Sequence, residues 1–465
     1  MIKEVLWGCV ELLEEKLKDY ESLTKKVKGL PDSRVYHNSS CVINNLNVWD
    51  VLKAAIISNL NILLVGERGE GKTQLENDIK SLFFGDHATY IRMRDNLRVK
   101  DLFEVYNLKK LFDKEGTVLD AKEKIGTIKN PLTIIDEINR AHEKIQNQVF
   151  DIYDGYIIFE GSKGPEKILL GVDMGDGLHY HSAIASANIG GNYAGVSPID
   201  SALLDRSHLI LDIDNFTPTV SDFAQIILEV TTPRVIDTKP EDHTAEIVDI
   251  FSGVKDLKLT FDALIALLYL RKGLEYCSHP ENPVHSKSPI LDSIPDICEG
   301  CNSLGEGCGF IYPLPVRSTK AVALLAKGLK AVTDSKSGKV SKLRVDYHDI
   351  LSAFCLVGPY SEILDKSWVD KEFLGNQQIA VTNIVNTISS QMVNNSQILN
   401  KSFKEAVAGE LSPAVAGMFE GRWAWYPELL SYFNQAAKKY GNLTALPEDV
   451  KRSALEEYPL LRWLA

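Results

Sequence analysis

Apolar and polar positions change period twice along the chain. Val5, Leu12, Leu13 and Leu17 recur among Glu and Lys, and a polar stretch over 31–40 follows, so residues 1–45 read as an amphipathic helix and a linker. From residue 46, short apolar runs at Ile62–Val65, 90–93, 132–135, Ser182–Ser186 and 209–213 alternate with helical periods. That alternation predicts an α/β domain over 46–230, a mainly parallel sheet covered by helices. After Pro218 the strand signal fades. Helical periods at 261–274, 318–332 and 346–356 predict an all-α domain over 231–360, its last helix starting at Asp346 with Asp349 three positions on to complete the cap. Residues 361–465 also read as helical and hold Trp368, Trp423, Trp425 and Trp463. Exposed, these rings would favour partner docking; buried, they are core.

Composition narrows the class. At 465 residues the chain can bury a core without staples, and 45% hydrophobic with 25% charged residues is ordinary globular usage. Lys and Arg number 51 against 63 Asp and Glu, so the net charge is 51 − 63 = −12, which disfavours binding to a phosphate backbone. The N-terminus has no signal-peptide pattern, and no run of 18 apolar residues occurs. A cytoplasmic protein with no membrane association is expected.

The strongest chemistry lies after the first apolar run. Gly66-Glu67-Arg68-Gly69-Glu70-Gly71-Lys72-Thr73 fits G-x-x-x-x-G-K-[ST], in which glycines let backbone amides wrap a phosphate. Lys72 is expected to reach the β and γ phosphates of ATP, and Thr73 to ligate Mg²⁺. The helix that starts near Gln74 points the positive end of its dipole at the anion. Its apolar face is expected to hold Leu75, Ile79, Leu82 and Phe83.

A second acidic signal follows. The run over 132–135 delivers Asp136 and Glu137 at a strand's carboxyl end, where one carboxylate can hold the Mg²⁺ shell and the other can polarise an attacking water. Asp136 takes the first role and Glu137 the second.

The string Asp136-Glu-Ile-Asn-Arg-Ala141 resembles the second acidic motif of MoxR-type AAA+ ATPases, a clade similar to midasin, dynein and the metal-chelatase motor subunits. The resemblance spans about residues 46–357 and implies a P-loop NTPase AAA+ core followed by an all-α lid. It places Asn188, in Ala185-Ser-Ala-Asn188, as the sensor-1 residue. It makes Arg206, at the end of the stretch 191–206, an arginine finger that reaches the γ-phosphate of a neighbouring subunit. Arg317, in Pro313-Leu-Pro-Val-Arg-Ser318, becomes the cis arginine of the lid. Ile189 stands where the family has Pro, Ser207 where it has an aromatic, and the Arg317 string differs from the usual Ser-Pro-Arg-Ala. On residue chemistry alone, Asn188 also fits a turn former and Arg206 a surface Asp-Arg pair. The resemblance further implies a pore-facing insertion within 101–130, for which a solvated helical hairpin is the plainer reading. Arg92, Arg94, Arg98 and Lys100 form a basic cluster beside it.

Cys277, Cys298, Cys301 and Cys308 lie in a Gly- and Pro-rich insertion over 275–310, spaced C-x20-C-x2-C-x6-C. The C-x-x-C element suits a closed, structural zinc site, with His279 and His285 as alternative ligands and free thiols as the other reading.

The resulting expectation is an Mg²⁺-dependent ATPase that forms a ring, expected to be a hexamer, and remodels or activates a client protein. A client complex, cofactor insertion and a von Willebrand A domain partner come with the resemblance. A nucleotide-gated scaffold with little turnover is the alternative from another class, and a nucleic-acid motor is the weaker third.

Overall fold

The five apolar runs form one parallel sheet in the computed structural model of the chain, which describes residues 2–32, 46–67, 69–94, 103–106, 122–124, 126–141, 143–161, 164–188, 199–216, 218–229, 239–276, 311–338 and 343–463. The strands are β1 (Ile62–Val65), β2 (Ala88–Arg92), β3 (Leu132–Asp136), β4 (Ser182–Ser186) and β5 (Leu209–Asp212), in spatial order β5-β1-β4-β3-β2. Leu63 pairs with Ala185 on one side and Ile210 on the other, and Ile134 pairs with Ile184 and Tyr90. β1, β3 and β4 are buried along their whole length, which is why they appear in the sequence as unbroken apolar runs. β2 is an edge strand and alternates: Thr89 and Ile91 are buried, while Tyr90 and Arg92 share the more open side.

Seven helices accompany the sheet among the described residues before residue 258: α1 (Ile2–Gly29), α2 (Val48–Ile57), α3 (Lys72–Phe83), α4 (Glu143–Tyr153), α5 (Ser201–Arg206), α6 (Val220–Glu229) and α7 (Thr244–Lys255). Asn47 and Asp50 form a reciprocal capping box that starts α2. Three antiparallel pairs lie outside the five apolar runs: Glu104–Tyr106 with Lys122–Lys124, Tyr156–Gly161 with Gly164–Leu169, and Val172–Asp173 with His179–Tyr180. The first of these corrects the helical reading of segment 101–130, whose described ends pair as strands. Residues 107–121 of that segment lie outside the described residues, as do the linker over 33–45, Arg68, Arg98 and Lys100.

The chain divides into two compact units, residues 1–257 with 324–343, and residues 258–323 with 344–465. The first unit includes the later turns of the long helix α9 (Val316–Ser337), numbered after α8 (Phe261–Arg271). A buried polar contact ties α1 to it: Tyr20 Oη donates to Asp334 Oδ2 at 2.8 Å, and Lys330 Nζ donates to the same oxygen at 3.1 Å. Gly328 lets α9 approach α2 closely. A Cβ there would stand 2.3 Å from Ser58 Oγ and 2.4 Å from the Ala54 carbonyl. Ala has the better helix propensity, by about 1 kcal/mol, but overpacking costs about 1–3 kcal/mol. Gly328→Ala is therefore expected to lower the unfolding midpoint in a urea titration; an unchanged or raised midpoint would show that α9 can shift away without cost.

The second unit is helical: α8, the first turns of α9, then α10 (Tyr347–Val357), α11 (Lys366–Phe373), α12 (Gln377–Ala408), α13 (Tyr426–Tyr440) and α14 (Glu448–Glu457). Asp346 and Asp349 complete the capping box read from the sequence at the start of α10. The tryptophans here are core side chains. Trp368, Trp423 and Trp425 are buried, Trp423 lies 4.9 Å from the Tyr269 ring, and Phe261 stacks on Phe403 at 4.1 Å.

Candidate functional site

β1 runs directly into the glycine-rich loop, and α3 leaves it. Gly71 is the N-cap of α3 in the left-handed conformation at φ +84°, so the chain can turn from loop to helix without a Cβ penalty. Gly66, at φ +149°, answers a contact: a Cβ there would stand 2.9 Å from Asp214 Oδ1. Asp214 lies in the turn Ile213–Asn215 that follows β5, and its two carboxylate oxygens accept from the Glu67 N–H at 3.1 and 3.0 Å. The loop is thus braced from the neighbouring strand. Among the described residues, none but the chain neighbours comes within 4 Å of where a Cβ would stand at Gly69 or Gly71, which leaves an open cradle at the positive end of α3.

Lys72 is the first residue of α3 and only 7% exposed. Its Nζ donates to the carbonyls of Gly66 at 2.8 Å and Glu67 at 2.6 Å, which holds the amine across the loop. Burial lowers its pKa, against the opposing pull of Asp214, Glu70, Glu76 and Asp212. Thr73 is half-buried in the first turn, and Gln74 Nε2 turns back along the helix to Asp78 Oδ1 at 3.1 Å.

Asp136 ends β3 and is 2% exposed. Tyr90 Oη donates to its Oδ2 at 2.7 Å, and Ser186 Oγ donates to its Oδ1 at 3.2 Å. The Ser186 hydroxyl also accepts from the Glu137 N–H at 3.1 Å, so β2 and β4 together fix the acidic pair. Burial, then the Asp136 carboxylate, pushes the Tyr90 phenol well above its ordinary pKa, so it stays a donor. Glu137 adopts the left-handed region at φ 55°, which ends the strand and turns its side chain away from the β3 line. Its carboxylate sits between two guanidinium groups, Arg140 Nη2 at 2.8 Å and Arg92 Nη2 at 3.6 Å. Asn188, just beyond β4, has its backbone carbonyl held by Asn139 Nδ2 at 2.8 Å. The structure therefore brings Gly66, Glu67, Lys72, Thr73, Asp136, Glu137 and Asn188 to the carboxyl ends of adjacent parallel strands, where open α/β sheets bind ligands.

Arg206 ends α5 as a paired side chain. Its Nε meets Asp154 Oδ2 at 3.0 Å, its Nη1 donates to the Ala202 carbonyl at 3.0 Å, and its guanidinium carbon lies 4.7 Å from the Phe150 ring centre. The Asp of this Asp-Arg pair is Asp154, the residue after α4. Arg317 is in the first turn of α9, in the second unit, and half-buried. Cys277, Cys298, Cys301, Cys308, His279 and His285 lie outside the described residues, as do residues 189–198 of the stretch before Arg206. Among the described residues, no group of three or more His, Cys, Asp and Glu is placed to hold a metal ion.

Sequence reasoning missed Asp214, Tyr90, Ser186 and Glu76. Glu76, one turn into α3, is 0% exposed, and neither carboxyl oxygen has a hydrogen-bond partner among the described residues. Burial, reinforced by the charges of Asp136 and Glu137, pushes its pKa well above the ordinary 4.5; Ser186 and Lys72 act in the other direction and do not offset it. A carboxyl whose folded pKa is raised favours folding most below its unfolded pKa. That contribution is lost as pH climbs from about 4.5 toward the raised folded value. Glu76→Met is therefore expected to stabilise the chain by about 1–3 kcal/mol at pH 8, with a smaller gain at pH 5, read by urea unfolding at both pH values. A variant less stable than the native chain at pH 8 would show that Glu76 is better satisfied than its surroundings indicate.

Comparisons with known proteins accord with this site. Residues 61–207 match the sequence profile of the AAA domain (dynein-related subfamily). The fold is similar to that of a candidate ATPase from Cytophaga hutchinsonii ATCC 33406, at TM-score 0.53 and 15% identity, over 81% of this chain and 97% of that one. NtrX from Brucella abortus aligns at TM-score 0.27 and 15% identity, over 57% of this chain and 52% of its own. The same protein in complex with ADP aligns at TM-score 0.24 and 13% identity, over 82% and 75%. Neither NtrX alignment amounts to a shared overall fold. No curated protein matches the chain.

Proposed function

Because residues 61–207 match the AAA domain of the dynein-related subfamily, we propose that this chain is a MoxR-type motor that assembles into a ring, expected to be a hexamer, and hydrolyses ATP to remodel or activate a client protein. The observation that carries the reading is the acidic pair. Asp136 is held at the sheet's carboxyl edge by Tyr90 and Ser186, with Glu137 turned out beside it and the glycine loop on the far side of β4. The proposed modules are the N-terminal helix and linker over 1–45, the nucleotide-binding domain over 46–230, the lid over 231–360 with its insertion, and the helical segment 361–465.

In this reading the loop amides and the α3 dipole cradle the phosphates, and Lys72 leaves the Gly66 and Glu67 carbonyls for the β and γ phosphates. The residues fit a magnesium ion: Thr73 offers a hydroxyl and Asp136 a buried carboxylate already oriented by two hydroxyl donors. The ion, when bound with ATP, neutralises charge on the β and γ oxygens. Glu137 accepts the proton of the attacking water, and Asn188 orients that water. Arg206 meets the γ-phosphate of the neighbouring subunit's ATP, and Arg317 acts in cis. A structural zinc ion on Cys277, Cys298, Cys301 and Cys308 is proposed for the lid insertion on the spacing of those thiols alone. No helix among the described residues is long and apolar enough to cross a membrane. A cytoplasmic location and a von Willebrand A domain partner are proposed with the family resemblance, and nucleic acid is not a proposed ligand.

One observation favours a second reading. Glu137 is paired with Arg140 and Arg92, so its carboxylate is engaged by two guanidinium groups of its own chain rather than turned to a water. A nucleotide-gated scaffold with little turnover would look like this, as would a motor that waits for its client. Sedimentation velocity with Mg²⁺ and a non-hydrolysable ATP analogue addresses the assembly shared by both. A species several times the monomer mass supports the ring, and a monomer at every concentration removes it.

A further inference from the structure

Arg206 is unusual among the site's arginines in being fixed on three sides. Its Nε is spent on Asp154 at 3.0 Å, one Nη1 proton goes to the Ala202 carbonyl at 3.0 Å, and the Phe150 ring lies against the guanidinium at 4.7 Å. By contrast Arg92 and Arg140, at 60% and 50% side-chain exposure, pair among the described residues with carboxylates of the acidic pair. An arginine has five N–H donors. Three of those of Arg206, the second on Nη1 and both on Nη2, have no partner among the described residues, and they lie at the tip of the group. Asp154 thus grips the side chain by its inner edge and leaves the outer edge unused, at 25% exposure for Arg206 and 32% for Asp154.

We propose that Asp154, backed by Phe150, is the positioning residue for Arg206, holding the guanidinium in the orientation in which its tip is offered to the ATP of a neighbouring subunit. This rests on the reading of Arg206 as an arginine acting in trans. Two arguments favour a guide over a lock. An ion pair this exposed is weak and screened by salt, so it could not keep the arginine from a multiply charged phosphate. And contact through Nε, rather than through the paired Nη atoms, is the one geometry that leaves the phosphate-binding fork available. The two chain elements involved are also short and local: Asp154 follows α4, whose last residue Tyr153 has its carbonyl held by the buried Asn61 at 2.6 Å, and Asn61 Nδ2 also reaches the Arg206 carbonyl at 3.5 Å. The backbone at both ends of the pair is thereby pinned to the base of β1, so the side-chain contact sets the remaining freedom.

The test uses the full chain and three variants, Asp154→Ala, Asp154→Asn and Arg206→Ala, each assayed for ATP turnover alone and mixed with an excess of Lys72→Ala. Lys72→Ala subunits cannot use ATP but carry an intact Arg206 and Asp154. Asp154→Ala is expected to lose turnover by up to about a hundredfold, as a misplacement of about 1 Å can cost, with KM for ATP little changed because the nucleotide is held by its own subunit's loop. Asp154→Asn keeps an acceptor for Nε and is expected to retain most activity. Mixing with Lys72→Ala should restore turnover per Asp154→Ala subunit, because the arginine then comes from an undamaged neighbour. If Arg206→Ala keeps native turnover, or is not rescued by the same mixing, the trans reading itself fails. If Arg206→Ala loses activity and is rescued while Asp154→Ala equals or exceeds the native rate, the arginine acts in trans but Asp154 does not position it. Loss in Asp154→Ala without rescue would assign Asp154 a role within its own subunit and overturn the proposal.

Discussion

Arg206→Ala is expected to lower ATP turnover by about a thousandfold and to leave ATP affinity nearly unchanged. An arginine supplied to the γ-phosphate from outside the binding subunit neutralises charge that develops only in transfer, an effect of about 10³–10⁵ in rate. In the proposed reading, binding falls to the glycine loop, Lys72 and the α3 dipole, none of which touches Arg206 among the described residues. The substitution also removes a side chain packed on Phe150 and paired with Asp154, but that pair is partly exposed and is worth roughly 0–1 kcal/mol, so a folding defect should be small. Turnover and equilibrium nucleotide binding, measured on the same preparation, separate the cases. A parallel loss of binding would move Arg206 from the transfer step to the architecture of α5.

Glu137→Gln is expected to reduce turnover by about 10²–10⁴-fold while ATP stays bound. The amide keeps the shape of the side chain and can still receive a hydrogen bond from Arg140, but it cannot accept the water's proton. The left-handed backbone at residue 137 is unchanged by the swap, since it is set by the end of β3 and by the Ser186 contact to its N–H. Because the native carboxylate is held by Arg140 and Arg92, removal of its charge also frees both guanidinium groups. Tighter retention of ATP is the expected by-product. Rapid-quench measurement of a single turnover checks the first effect directly, and a rate within a factor of a few of native would remove Glu137 from the role of general base.

How far the sequence carried this account depended on the range over which each signal acts. The loop from Gly66 to Thr73 and the pair Asp136-Glu137 are local strings, and the structure places both at the carboxyl ends of strands that flank β4. The apolar runs marked all five sheet strands to within about two residues, because strands buried on both faces leave little else for the sequence to say. Glu76 was hidden for the opposite reason. Leu75, Ile79 and Phe83 mark the buried face of α3, and a Glu beside them reads as the edge of a polar face; its burial comes from β3 and β4, which lie more than fifty residues away. Asp214 and Tyr90 are likewise brought to the loop and to Asp136 by strand pairing, which no spacing encodes. The hairpin Tyr156–Gly161 and Gly164–Leu169 could have been found. Ile157 and Phe159 are buried in alternation with their neighbours, and Gly161-Ser-Lys-Gly164 is a turn signal. The tryptophans of the last segment could go either way by composition; packing against Tyr269 and each other placed Trp423 and Trp425 inside, Trp368 is buried against Phe373, and Trp463 is half-buried.

The central claim is an ATP site completed by a neighbour's arginine, and it is tested most directly by ATP turnover per subunit across a wide range of protein concentration. The account predicts a low rate in dilute solution that rises to a plateau as subunits assemble, with Arg206→Ala flat and low throughout. A turnover per subunit that is substantial and independent of concentration, down to where the chain sediments as a monomer, would contradict it.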